Sequence, residues 1–139
     1  MRARARAIVI GVVSGLFIAA CVFPTYQGVM MGDDADLIGL QVLVLGPFLF
    51  TPIWIANLTL AQTLWWLRQQ RYFGAGLASA FGIVLAAVPL GVMFRPFPGQ
   101  LGAGYFLWLS SMVTAAIGVF ICARLNRSQS AVPSGGQHK

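Results

Sequence analysis

Residues 7–26 read AIVIGVVSGLFIAACVFPTY, a run of twenty residues without a charged side chain. A helix of that length rises about 30 Å, which matches the hydrocarbon core of a bilayer. Three further apolar stretches follow it. The predicted spans are residues 7–26, 37–67, 75–94 and 103–123. No alternating or turn-rich strand pattern accompanies them, so the sequence predicts an all-α integral membrane protein with four transmembrane helices.

The composition supports lipid as the solvent of these stretches. Charged residues make up 9% of the chain and hydrophobic residues 58%, whereas a soluble domain has about 25% charged residues. A soluble fold could not cover its surface with so few charges. The net charge of +6 does not indicate a nucleic-acid partner, because the basic residues flank apolar segments and form no polar patch.

The second predicted span, residues 37–67, is longer than one straight crossing requires. Its 31 residues would rise roughly 46 Å as a single helix, about half as much again as the hydrocarbon core. Pro47 and Pro52 each lack a backbone N–H and crowd the preceding turn. We therefore expect a helix kinked at Pro47 and Pro52, or a short interfacial segment before Pro47.

The charges predict how the chain is oriented. In an antiparallel up-down bundle, one side receives eight basic residues: Arg2, Arg4, Arg6, Arg68, Arg71, Arg124, Arg127 and Lys139. The other side receives Arg95 and every acidic residue of the chain, namely Asp33, Asp34 and Asp36. Basic residues near span ends stay in the cytoplasm. We expect both termini to be cytoplasmic in a bacterial-type inner membrane, with the aspartates in a solvated external loop that Arg95 could approach.

Aromatic residues agree with this orientation. Trp65, Trp66 and Tyr72 lie near the predicted inner boundary, and Tyr26, Tyr105 and Trp108 lie near the outer one. Amphipathic rings are enriched at both interfaces of a membrane protein. These residues are therefore expected to be interfacial.

The predicted organisation has three parts. Residues 1–6 form a basic cytoplasmic N-terminus, residues 7–125 the transmembrane domain, and residues 126–139 a polar, Gly/Ser-rich cytoplasmic tail that should be disordered. A second interpretation of the N-terminus is a bacterial lipoprotein signal, in which Cys21 would be acylated after cleavage. We favour an ordinary first helix with a buried cysteine, because the apolar run continues past Cys21.

Three of the spans carry small residues at four-residue intervals. These are Ala7, Gly11, Gly15 and Ala19 in the first span, Gly74, Ala78, Gly82 and Ala86 in the third, and Ser110, Thr114, Gly118 and Cys122 in the fourth. A four-residue step places side chains on nearly one helix face, where another backbone can approach closely. The stripes predict helix packing, either within the chain or against another protein.

The second span carries polar residues in place of a small-residue stripe. They are Thr51, Asn57, Thr59, Gln62 and Thr63. Such residues usually bond neighbouring helices, at about 0.6 kcal/mol each, and this interpretation is preferred. The alternative is a polar seam that lines a path for a solute.

No chemical site is predicted. The spans contain no Asp, Glu, Lys or His, so nucleophiles within them lack a general base and proton-coupled transport lacks its usual carboxylate. Met30, Met31 and Met93 offer soft ligands for Cu(I), but methionine more often fills gaps in apolar packing. We expect no enzyme activity, no cofactor and no metal.

These observations lead to two functional hypotheses. The preferred one is a non-catalytic, helix-packing subunit or partner-binding protein of an inner-membrane complex, which binds other membrane subunits or a copy of itself. An immunity-type protein that neutralises a membrane toxin would have the same features. The alternative is a small channel or transporter component that uses the polar seam of the second span.

Overall fold

The computed structural model describes residues 2–30, 33–41, 43–44, 51–92 and 99–130. The chain is mainly helical, as predicted. The long helices are α1 (Arg2–Val22), α2 (Thr51–Arg68), α3 (Tyr72–Val92) and α4 (Ala103–Ser130). The strands are β1 (Pro24–Met30), β2 (Asp33–Ile38) and β3 (Gly99–Leu101). Residues 39–41 and 43–44 are also helical.

Within the described ranges, two helices are long and apolar enough to cross a membrane. They are Ala3–Val22 of α1 and Ala103–Ser128 of α4, and Tyr72–Ala87 of α3 is a shorter apolar segment. The core helix of a soluble protein or a signal sequence would satisfy the same criteria of length and composition. The two helices by themselves are therefore weak evidence for a membrane location.

The four long helices pack in a defined order. Helix α1 lies along α4, α4 along α3, and α3 along α2, whereas α1 and α2 make few contacts. One buried cluster joins the end of α2, the start of α3 and the end of α4 through Leu67, Ala75, Val119 and Cys122. Neighbouring helices therefore run in opposite directions. A larger cluster fills the other end: Val13, Ala20, Ala56, Leu60, Ala86, Tyr105, Trp108, Met112 and Ala115.

The structure contains a three-stranded antiparallel sheet, which the sequence did not predict. It joins the segment that follows α1 to the segment that precedes α4. Strand β1 lies in the middle, with Met30 opposite Asp33 of β2 and Gly28 opposite Gly99 of β3. The predicted ends of the first two spans are therefore wrong, because Tyr26 and Leu37 pair with each other in the sheet. Pro24 explains the earlier end of α1, since the residue before a proline is disfavoured in the helical region.

Other boundaries differ from the prediction in detail. Helix α4 continues to Ser130, which includes the first residues of the expected disordered tail. Pro52 occupies the first turn of α2, where a proline removes no intrahelical hydrogen bond. Pro47, the other residue of the predicted kink, lies outside the described residues.

The junction between α1 and α4 brings two backbones into direct contact. The N–H of Gly102 donates to the carbonyl of Thr25 at 2.9 Å. A Cβ on Gly104 would collide with the carbonyl oxygen of Phe23 and crowd that of Ala20. Glycine is required at position 104 because the first turn of α4 lies against the last turn of α1.

Helix α2 ends in a Schellman motif. Gln70 has a positive φ of 64°, its N–H donates to the carbonyl of Leu67 at 3.2 Å, and the N–H of Arg71 donates to the carbonyl of Trp66 at 2.9 Å. These two bonds satisfy carbonyls that the helix end leaves free. Glycine is the usual residue at this position, since a side chain there costs roughly 1–2 kcal/mol.

Replacing Gln70 by glycine should therefore stabilise the protein. We expect Gln70→Gly to raise the free energy of unfolding by about 1 kcal/mol, measured by denaturant titration in detergent micelles. Gln69→Gly is the matched control, because among described non-glycine residues only Gln70 has a positive φ. The control should lower the same quantity, and equal effects of the two changes would contradict the assignment of strain to Gln70.

Candidate helix-docking surface

The small-residue stripe of α1 faces away from the other helices that the structure describes. A Cβ placed on Gly11 or Gly15 would meet no atom of the described residues within 4 Å. Each glycine is two positions from Val13, which is fully buried, and two positions correspond to roughly 160° around an ideal helix. Ala7 is also exposed, and Ala19 is half-buried. We call this surface, formed by Ala7, Gly11, Gly15 and Ala19, the α1 groove.

Large apolar side chains border the α1 groove. Ile8, Ile18 and Val22 are all exposed, with Ile18 64% accessible. These branched side chains stand beside glycine and alanine positions, which have little or no side chain. The surface is therefore a shallow groove. This shape allows another helix to approach the backbone of α1 closely.

The small-residue stripe of α3 packs against another helix of the same chain. A Cβ on Gly82 would collide with Oγ1 of Thr59 in α2, and one on Gly74 would crowd the ring of Trp66. Ala86 is fully buried, and Ala78 is half-buried. The stripe is therefore the surface on which α3 receives α2.

The stripe of α4 is divided between the interior and the surface. A Cβ on Gly118 would collide with Cγ1 of Val9 in α1. Cys122 is buried, Thr114 is half-buried, and Ser110 is exposed. Helix α1 therefore packs against the C-terminal half of the α4 stripe. The residue of α1 at this contact is the β-branched Val9.

Two threonines of α2 are hydrogen-bonded within their own helix. The hydroxyl of Thr59 donates to the carbonyl of Ala56 at 2.8 Å, and that of Thr63 donates to the carbonyl of Thr59 at 2.7 Å. The space between α2, α3 and α4, lined by Thr59, Leu60, Thr63, Ser79, Gly82 and Met112, leaves no room for a water molecule. Gln62 is half-buried, and Thr51 lies in the first turn of α2.

Two aromatic residues of α4 cross-link the other helices. The indole N–H of Trp108 donates to Oδ1 of Asn57 in α2 at 2.7 Å, and the hydroxyl of Tyr105 donates to the carbonyl of Ala86 in α3 at 2.5 Å. One residue before Ala86, the carbonyl of Leu85 receives no helical hydrogen bond from position 89, because Pro89 has no N–H.

Tyr105 and Trp108, which the sequence predicts near the outer boundary, are buried among the helices. They are 3% and 7% exposed, because each buried polar group finds a partner on a neighbouring helix. Asn57 was the available signal, since a mid-helix amide requires a donor or acceptor from another element.

The remaining predicted positions form no common site. Asp33, Asp34 and Asp36 lie in β2 and Met30 ends β1, while Met31, Met93 and Arg95 lie outside the described residues. Cys21, in the last turn of α1, and Cys122 are free thiols. Where the structure describes the chain, no group of three His, Cys, Asp or Glu residues could hold a metal ion.

The contact between Gly82 and Thr59 predicts a coupled pair of mutations. Gly82→Ala should lower the free energy of unfolding by roughly 1–3 kcal/mol, the usual range for overpacking, because the new methyl collides with Thr59. The penalty should largely disappear in a Thr59→Ala background, which a double-mutant cycle would measure. Gly11→Ala, on the open surface, is the control and should instead raise the free energy of unfolding by roughly 0.5–1 kcal/mol, because alanine favours the helix and meets no neighbouring atom. An equal penalty in both backgrounds would contradict the contact.

Comparisons with known proteins found no matching family model, curated protein or solved structure. The functional argument therefore depends on the geometry of the described helices. Within that geometry, the α1 groove is the predicted packing surface that the described residues leave uncovered.

Proposed function

We propose that this protein is a non-catalytic subunit of a membrane complex, and that it binds a transmembrane helix of a partner protein in the α1 groove. The open stripe at Gly11 and Gly15 carries this proposal. The stripe of α3 and half of that of α4 receive helices of the same chain, which supports the same role for α1 towards a helix from outside.

The exposed side chains of the helices support a lipid environment. Large apolar residues are exposed on all four, including Ile18, Leu58, Phe73, Val84 and Phe120, and Phe73 is 83% accessible. Soluble monomers rarely expose contiguous apolar patches larger than a few hundred Å². We propose that lipid covers these side chains and that all four helices cross the membrane as an antiparallel bundle.

The distribution of charge supports an orientation with both termini in the cytoplasm. Arg4 and Arg6 are at the start of α1, Arg68 ends α2, and Arg124 and Arg127 are near the end of α4. The antiparallel packing brings these helix ends together, and the aspartates of β2 lie at the opposite end. The positive-inside rule then assigns the arginine end to the cytoplasm, as expected for a protein of a bacterial-type inner membrane.

The energetics of glycine favour a protein partner over lipid in the α1 groove. Each glycine within a helix costs roughly 0.5–1 kcal/mol relative to alanine. On a lipid-facing surface nothing would offset that cost. Close backbone contact with a second helix would offset the cost of the glycines, because van der Waals packing is the main force that associates helices in lipid.

The hydrogen bonds of α2 favour packing over the alternative of a channel or transporter component. Thr59, Thr63 and Asn57 are all engaged within the described helices. A solute path would require polar atoms that are free to coordinate a solute. The narrow space beside Thr63 offers none that is unpaired.

A double substitution in the α1 groove tests the proposal. Gly11→Leu with Gly15→Leu should abolish co-purification of the partner after mild detergent extraction, because the leucines fill the space that the partner helix requires. Complexes would be identified by cross-linking and mass spectrometry. Ala80→Leu is the matched control, since it adds a leucine to the exposed face of α3. Unchanged complexes in the double variant, or equal losses in the control, would contradict a role for the α1 groove.

A further inference from the structure

The arginines at one end of the helices lack a counter-charge within the chain. The sequence contains three acidic residues, and all of them lie in β2. Arg6, Arg68 and Arg71 lie at the other end of the bundle. There the start of α1 meets the end of α2 and the turn into α3. The acidic side chains of the chain therefore supply no counter-charge at this end.

Three arginines are located where α1, α2 and the turn into α3 meet. Nη1 of Arg6 lies 3.5 Å from the carbonyl oxygen of Arg68, which ends α2, and Arg71 follows in the turn before α3. This carbonyl occupies one of the five N–H donors of the Arg6 guanidinium. Arg6 is half-buried, whereas Arg68 and Arg71 are exposed. Arg68 and Arg71 thus lie at the helix end that the Arg6 side chain contacts.

Apolar and aromatic surface continues directly from these arginines. Trp65 is exposed one turn before Arg68, and Phe73 is exposed two residues after Arg71. A ligand that fits this surface has a negatively charged headgroup and an apolar body. Arginine recognises phosphate through paired N–H donors.

We propose that Arg6, Arg68 and Arg71 bind the headgroup phosphate of an anionic phospholipid, with its acyl chains along Trp65 and Phe73. The inference depends on the membrane location proposed above. Basic pockets between helices on the cytoplasmic side are typical sites for such headgroups. The bound lipid would supply negative charge at the helix end that carries the arginines.

Lipid retention in native mass spectrometry tests this site. Wild-type protein extracted in a neutral detergent should retain phosphatidylglycerol in preference to phosphatidylcholine. Each arginine that faces the bound headgroup is expected to contribute roughly a fivefold gain in affinity. Arg6→Gln, Arg68→Gln and Arg71→Gln together should thus weaken retention about 100-fold. Arg127→Gln, at an exposed position on α4, should change it little.

Two further measurements separate the possible causes. Inorganic phosphate at millimolar concentration should not raise the melting temperature of the detergent-solubilised protein, whereas phosphatidylglycerol should. Equal stabilisation by free phosphate would identify an anion site without lipid specificity and overturn the proposal. Equal retention of the two phospholipids, or equal losses in Arg127→Gln and the triple variant, would also overturn it. A protein soluble without detergent would instead contradict the membrane location.

Discussion

The first two turns of α4 hold the structure together. Gly104 allows this helix to lie against the carbonyls that end α1, and the next residues bond the two other helices, Tyr105 to Ala86 and Trp108 to Asn57. All of these contacts require the backbone of α4 to be close to its neighbours. A larger residue at position 104 would push α4 away from α1 and lengthen both side-chain hydrogen bonds. The order of packing, with α4 between α1 and α3, follows from this constraint.

Much of the helical structure could be predicted from the sequence, because long uncharged runs have few alternatives to a helix. The sheet could not. Its central strand, PTYQGVM, does not alternate between polar and apolar residues, and its pairing with Gly99–Leu101 depends on segments about 70 positions apart. The burial of Tyr105 and Trp108 could not be predicted for a related reason. A composition rule places aromatic residues at an interface, but only the fold shows that a carbonyl and an amide are within reach.

The small-residue stripes show which features of helix packing can be predicted from sequence periodicity alone. A four-residue repeat indicates that a face can be approached closely, and it says nothing about which helix will approach. In α3 the approaching residue is Thr59, and in α4 it is Val9. Both are β-branched, and both fit against a position without a side chain. The stripe of α1 has the same spacing but lies on the side opposite Val13, which distinguishes a surface for internal packing from the proposed docking surface.

The sheet also affects how α1 could meet a partner. Strand β1 continues from the end of α1, and β3 precedes α4, so their pairing fixes the two helices to each other through backbone hydrogen bonds. At its other end α1 contacts the last carbonyl of α2 through Arg6. A helix held at both ends is preorganised, so an incoming partner would lose little conformational entropy in ordering it. More of the contact energy would then appear as affinity, and even a short interface could be long-lived.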